Sequence, residues 1–153
     1  MILVEKNANA QGRFVPWEAV SSGSGIADIA TTSLLNGEKS ILQDLIKSRA
    51  VSTKDVFDAY HEGDNLAQEI VQDATSHLGA GFASLVNIFD PNLLIIGGGL
   101  TSQWDTYIQP ALAIMREQCA ANIERDLEIC RPYLGARSGA LGAISLISNE
   151  LNS

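Results

Sequence analysis

Cysteine is scarce in this chain. Only Cys119 and Cys130 occur in 153 residues, and no Cys-x-x-Cys pair or Cys/His spacing joins them to a partner. Neither a disulfide framework nor a zinc ribbon is indicated. Cys119 falls on an apolar helix stripe and Cys130 in a short strand, so both read as buried free thiols. Positive charge is scarce as well: ten Lys and Arg face 18 Asp and Glu, for a net charge of −8. An acidic surface repels phosphate backbones, so no direct nucleic-acid contact by this segment is expected. No apolar run approaches the ~20 residues that a bilayer-spanning helix needs. Met1-Ile2-Leu3-Val4 gives way at once to Glu5 and Lys6, which is not a signal-peptide pattern. The expectation is a cytoplasmic protein without membrane contact. Charged residues make up 18% and hydrophobic residues 46%, too apolar for a disordered chain. A chain of ~150 residues buries roughly 70% of its unfolded surface, so one domain with its own core over residues 1–153 is expected.

What is present is mostly helical periodicity. Ile2-Leu3-Val4 looks like the tail of a strand entering a polar loop. Ser21-Ser22-Gly23-Ser24-Gly25 reads as a flexible turn leading to a helix with Ile26, Ile29 and Ala30 on one side, stopped by Asn36-Gly37. A short helix over 41–47 follows. Ser52-Thr53-Lys54-Asp55 is a near-capping box for a helix carrying Val56, Phe57, Ala59 and Tyr60. Gly63 closes that helix and Asp64 caps the next. Leu66, Ile70, Ala74, Leu78, Phe82, Leu85 and Phe89 then mark one stripe over about six turns. Gly79 and Gly81 inside it each cost ~1 kcal/mol of propensity, which predicts close approach of another backbone. Pro91 ends the helix. Leu93-Leu94-Ile95-Ile96 reads as a strand buried on both faces. Gly97-Gly98-Gly99, a helix through Trp104 to Ile123 interrupted by Pro110, a strand over 127–130, a glycine-spaced loop over 135–142 and a final helix over 140–151 complete the chain. The order is βαβ-like and implies parallel strands, with ligands bound beyond their carboxyl ends.

Gly97, Gly98 and Gly99 lie at such an end. Glycine admits a flat ring or a phosphate close to the backbone, and it also serves tight turns; local chemistry leaves both readings open. Asp90 before Pro91 reads as a turn residue, not a catalytic carboxylate. His61 and His77 have no set of metal-ligand partners in the sequence. Glu18, beside Trp17 in what reads as a loop, is either solvated or an acceptor for the hydroxyls of a polyhydroxylated ligand.

Residues 52–99, from STKDVFDAYHEGD to SLVNIFDPNLLIIGGG, resemble the ROK family of sugar kinases and sugar-responsive repressors. SGALGAISLI at 138–147 is similar to that family's closing helix, and WEAVSSGSGIA at 17–27 resembles the end of its cysteine motif. The resemblance spans about residues 12–150. It implies a helix-rich α/β fold, the C-terminal part of the actin- and hexokinase-like (RNase H-like) ATPase fold, with a small partly parallel sheet. It implies that Gly97, Gly98 and Gly99 line the adenosine side of an ATP site and that Glu18 contacts sugar hydroxyls. ATP with Mg is the implied cofactor of the full-length protein, with sugar and nucleotide as its ligands and homo-oligomers common. Two departures stand out. Asn9, Gln11 and Pro16 replace the three cysteines of the motif Cys-x-Cys-Gly-x-x-Gly-Cys-x-Glu and Val15 its second glycine, while Gly12 and Glu18 stay in register, so no structural zinc is expected. The family's Asp-x-Gly-Gly-Thr phosphate loop, Asn-Asp pair and Glu-x-Gly-His sugar motif do not occur in these residues. The chain therefore reads as the C-terminal domain of an ATP-dependent hexose kinase, with no catalytic residue of its own and inactive alone. The alternatives are the effector-binding domain of a sugar-responsive transcriptional repressor and a degenerate interaction domain.

Overall fold

The computed structural model describes residues 3–5, 14–119 and 127–133. A short antiparallel hairpin opens the chain: β1 (Leu3–Glu5) pairs with β2 (Phe14–Pro16), Val4 opposite Val15. The first apolar run is therefore half of a hairpin. Its partner gives no strand signal in the sequence, because Pro16 and the polar stretch before Phe14 disguise a three-residue strand.

Helix α1 (Glu18–Ser21) and helix α2 (Gly23–Leu35) follow with one residue between them. That residue, Ser22, is extended, and its hydroxyl accepts from the Gly25 amide at 3.1 Å, an N-cap. The Ser21–Gly25 run is thus a tight corner between helices and not a flexible turn. A Cβ on Gly25 would strike the Ala19 carbonyl, so the corner needs its glycine for closeness. Gly37, at φ 90°, follows α2 as expected.

Capping chemistry sets the next three starts. A 3₁₀ helix (Ile41–Lys47) begins at Ser40. Helix α3 (Thr53–His61) begins in a full capping box: the Asp55 amide donates to the Ser52 hydroxyl and the Ser52 amide to the Asp55 carboxylate at 2.8 Å. Helix α4 (Asn65–Phe89) starts at Asp64, which accepts from the Ala67 amide at 2.9 Å and the Ile41 amide at 2.9 Å. One carboxylate so ties the starts of two helices together, and such caps contribute ~1 kcal/mol each.

The apolar stripe of α4 buries Leu66, Ile70, Ala74, Leu78 and Phe82. It does not extend to Phe89, which is 71% exposed; Val86 is buried in its stead. A spacing of four overshoots a full turn by about 40°, so the buried face drifts around the helix. Gly79 and Gly81 both have packing reasons, but only Gly79 meets the expected backbone; Gly81 makes room for a side chain. A Cβ on Gly79 would stand 2.7 Å from the Ala111 carbonyl oxygen, and one on Gly81 would collide with the Trp17 ring.

Asp90, left-handed at φ 43°, ends α4 as a turn residue. Strand β3 (Leu93–Ile95) pairs in parallel with β4 (Glu128–Cys130), Leu94 opposite Ile129. Between them lie a 3₁₀ turn (Gly99–Gln103), a π turn (Trp104–Ile108) and helix α5 (Gln109–Gln118). Pro110 sits in the first turn of α5, where its missing N–H leaves no helix bond unmade, and the wide π turn brings the chain to it. The βαβ order holds, but β3 is not buried on both faces. Strand alternation sends Leu94 and Ile96 to the core and leaves Leu93 and Ile95 47% and 56% exposed. Cys119 and Cys130 are half-exposed, not buried. Among the described residues no helix is long and apolar enough to cross a membrane. The loop over 135–142 and the final helix over 140–151 lie outside the described residues, as do Ile123, Asn9, Gln11 and Gly12.

Candidate functional site

The three glycines after β3 have three different environments. A Cβ on Gly97 would stand 2.8 Å from Pro132 Cγ, so the exit of β4 requires the small residue there. Gly98, at φ 116° and ψ 179°, occupies backbone space that other residues avoid. Gly99 has neither reason: a Cβ there would meet nothing within 4 Å. What Gly99 borders is open space, a groove of about 630 Å³ lined by Gly23, Thr53, Lys54, Phe57, Gly99, Leu100, Ser102 and Gln103.

The groove is built where three chain segments meet. The Thr53 hydroxyl donates to the Gly23 carbonyl at 2.6 Å and so joins the start of α3 to the start of α2. Opposite, the Thr101 hydroxyl donates to the Gly98 carbonyl at 2.6 Å and the Ser102 hydroxyl to the Gly99 carbonyl at 2.9 Å, which fixes the glycine turn. Phe57 lies between, held edge-on by Tyr107 with ring centroids 5.8 Å apart. Tyr107 is fully buried, and its hydroxyl donates to the Ser21 carbonyl at 2.5 Å. Burial pushes that phenol well above the ordinary tyrosine range, so it stays a neutral donor. Lys54 on the rim pairs with Asp58 at 2.5 Å, and that hydrogen bond raises the lysine above its ordinary value and keeps it cationic. Phe57 is only 1% exposed and lies beneath the groove, so Leu100 supplies the accessible apolar surface; with hydroxyls and a cation on its rim, the groove suits a flat ring carrying an anionic tail.

Of the residues singled out from the sequence, Gly99 lines the groove; Gly97 and Gly98 lead into it. Glu18 does not line it. It stands exposed as the first residue of α1, not in a loop. The preceding Trp17 fixes its place: the indole donates to the His77 carbonyl at 2.7 Å and meets Phe82 edge-on at 6.0 Å. A second concavity of about 280 Å³ lies between α2 and α4, bordered by Glu38, Glu69, Asp73 and His77. Among the described residues no group of three His, Cys, Asp or Glu is placed to hold a metal. Thr53, Lys54, Ser102 and Gln103 were invisible as groove residues in the sequence. They belong to ordinary helix starts and turns, and only the fold brings them to one place.

The chain matches the ROK family over residues 7–150. It is 31% identical over 137 residues to the glucokinase of Halalkalibacterium halodurans, covering 89% of this chain and 42% of that protein. It is 27% identical over 141 residues to the DNA-binding transcriptional dual regulator NagC of Escherichia coli, covering 92% of this chain and 33% of the regulator. The ROK hexokinase of Thermus thermophilus superposes with a TM-score of 0.70 at 28% identity, over 96% of this chain and 45% of the hexokinase. The chain thus spans between a third and a half of the length of each of these proteins. A glucokinase, a hexokinase and a transcriptional regulator stand side by side among its relatives, and its helix-rich α/β fold with a small parallel sheet superposes on that of the hexokinase. The chain belongs to the ROK family.

Proposed function

We propose that this chain is the nucleotide-binding C-terminal lobe of an ATP-dependent hexose kinase, whose groove beside Gly99 takes the adenosine part of ATP. The observation that carries this reading is Gly99 itself. A Cβ there would meet nothing and its backbone is unstrained, yet it borders a groove with an apolar floor. Gly97 and Gly98 shape the turn that presents it, and Lys54 lies on the rim where a phosphate tail could pass. Glu18, rigidly placed by Trp17, is the residue proposed to accept hydrogen bonds from sugar hydroxyls in the assembled protein. The residues described fit the nucleoside end of ATP; the Mg ion that accompanies its phosphates has no ligand set among them. When bound, the nucleotide would supply the phosphoryl group. This lobe's part is to bind and orient it, since phosphoryl transfer rests on positioning and electrostatics.

Calorimetric titration of ATP into the chain tests the proposal. Wild type should bind, and Gly99→Val, which adds a branched side chain at the groove's edge from a Cβ that meets nothing within 4 Å, should weaken binding at least tenfold. No binding at millimolar ATP, or equal binding by the variant, overturns the reading. A coupled assay with a hexose panel should show no turnover by this chain alone. The repressor reading draws on the likeness to NagC. It becomes the better one if the chain binds a sugar effector but no nucleotide.

A further inference from the structure

Four polar side chains line the groove, and three are already engaged. The Thr53 hydroxyl donates to Gly23, the Ser102 hydroxyl to Gly99, and the Lys54 ammonium to Asp58. Gln103 is the fourth. Half-buried at the end of the 3₁₀ turn, its carboxamide makes no hydrogen bond among the described residues. The flanking residues hold its backbone: the Thr101 amide donates to the Gly98 carbonyl at 3.2 Å, and Trp104 is covered by the Arg131 guanidinium 4.2 Å above its ring.

A primary carboxamide offers one acceptor and two donors in a single plane. Along its N7 edge adenine presents the complement, a 6-amine that donates beside N7, which accepts; a 6-oxo purine presents two acceptors there, so a carboxamide cannot pair with both through its oxygen and its nitrogen whichever way it is flipped. The lining hydroxyls can turn to suit either base and so discriminate little. The ammonium donates only, and it is drawn to Asp58. From this division of labour we infer that Gln103 is the specificity-determining residue of the groove, reading the N7 edge of a purine nucleotide and selecting 6-amino over 6-oxo purines. The inference rests on the proposed nucleotide groove and adds to it the group that chooses among nucleotides. Binding strength comes from contact of the ring with Leu100 and the open backbone at Gly99, which does not depend on the base's substituents; selectivity comes from Gln103.

The test uses the full chain with adenosine and inosine as probes, which differ at the 6-position and carry no phosphate. Saturation-transfer NMR or equilibrium dialysis gives both dissociation constants. Wild type should favour adenosine by about tenfold, in line with one good bidentate base contact. Gln103→Leu keeps the size and apolar reach of the side chain and should bring the ratio near one while both nucleosides still bind. Gln103→Glu keeps the acceptor but loses the donor, and should also lower adenosine affinity selectively. Circular dichroism of each variant separates a binding effect from misfolding. A wild-type ratio near one, or a ratio unchanged by Gln103→Leu, overturns the role of Gln103 and leaves the groove standing. If wild type binds neither nucleoside at millimolar concentration, the groove assignment falls, and this inference with it.

Discussion

Gly79→Ala would ordinarily stabilise a helix interior by about 1 kcal/mol, because alanine loses less backbone freedom on folding. Here the opposite is expected. The new Cβ would stand 2.7 Å from the Ala111 carbonyl oxygen and 2.7 Å from Ile114 Cβ. One of those atoms is backbone and the other is fixed directly to it, so neither can swing aside, and α5 must move away from α4. Overpacking of this kind costs about 1–3 kcal/mol. With rigid neighbours the cost belongs near the upper end, so the net effect after the propensity gain is a loss of about 2 kcal/mol. Urea denaturation should show a lower midpoint at an unchanged slope, and each kcal/mol lost should lower the melting temperature by about 2–4 °C. Gly99→Ala is the control: its Cβ meets nothing within 4 Å, and its stability should stay within about 0.5 kcal/mol of wild type. A Gly79→Ala protein as stable as wild type, or more so, would refute the claim that backbone closeness selects this glycine.

Asp55 is held well below the usual carboxylate range, first by its hydrogen bond to Arg49 and then by the Ser52 cap. A carboxyl depressed in the folded state contributes stability that is complete above its unfolded value of about 3.9 and is lost as pH falls toward the folded value. Asp55→Asn should therefore be less stable than wild type at pH 7, with the gap closing on acidification below about pH 4; a gap that does not change with pH would show that the ion pair contributes nothing. Ile88, Phe89, Leu93 and Ile95 leave an exposed apolar surface around the end of α4 and β3, so sedimentation at micromolar concentration should find a dimer or higher oligomer. A single monomeric species that binds no hydrophobic dye would contradict this. Elemental analysis should find no stoichiometric zinc, since Asn9, Gln11 and Pro16 provide no thiolates; one zinc per chain would mean that the motif has been placed on the wrong residues.

Local chemistry was the most legible part of the sequence. Ser52, Asp64, Gly37 and Gly63 sit where helix starts and stops require them, because caps depend on residues a few positions apart. Gly79 and Gly81 signalled close contact but not its partner: Ala111 and Trp17 are distant in sequence. The exposure of β3 was not legible, since four apolar residues in a row look alike whether one face or both are covered. Glu18 looks like a loop residue in the sequence because a four-residue helix is too short to show periodicity. Of the site, the glycines could be seen and their separate reasons could not. Gln103 carried no signal at all, because a glutamine in a turn becomes distinctive only when its neighbours' polar groups are engaged elsewhere.

Amide mapping by ¹⁵N NMR during titration with a non-hydrolysable ATP analogue tests the central claim most directly. The account predicts shifts concentrated at Thr53, Phe57, Gly99, Ser102 and Gln103, with Glu38, Glu69 and Asp73 unmoved. No shift at millimolar analogue, or shifts confined to the acidic concavity between α2 and α4, would contradict it.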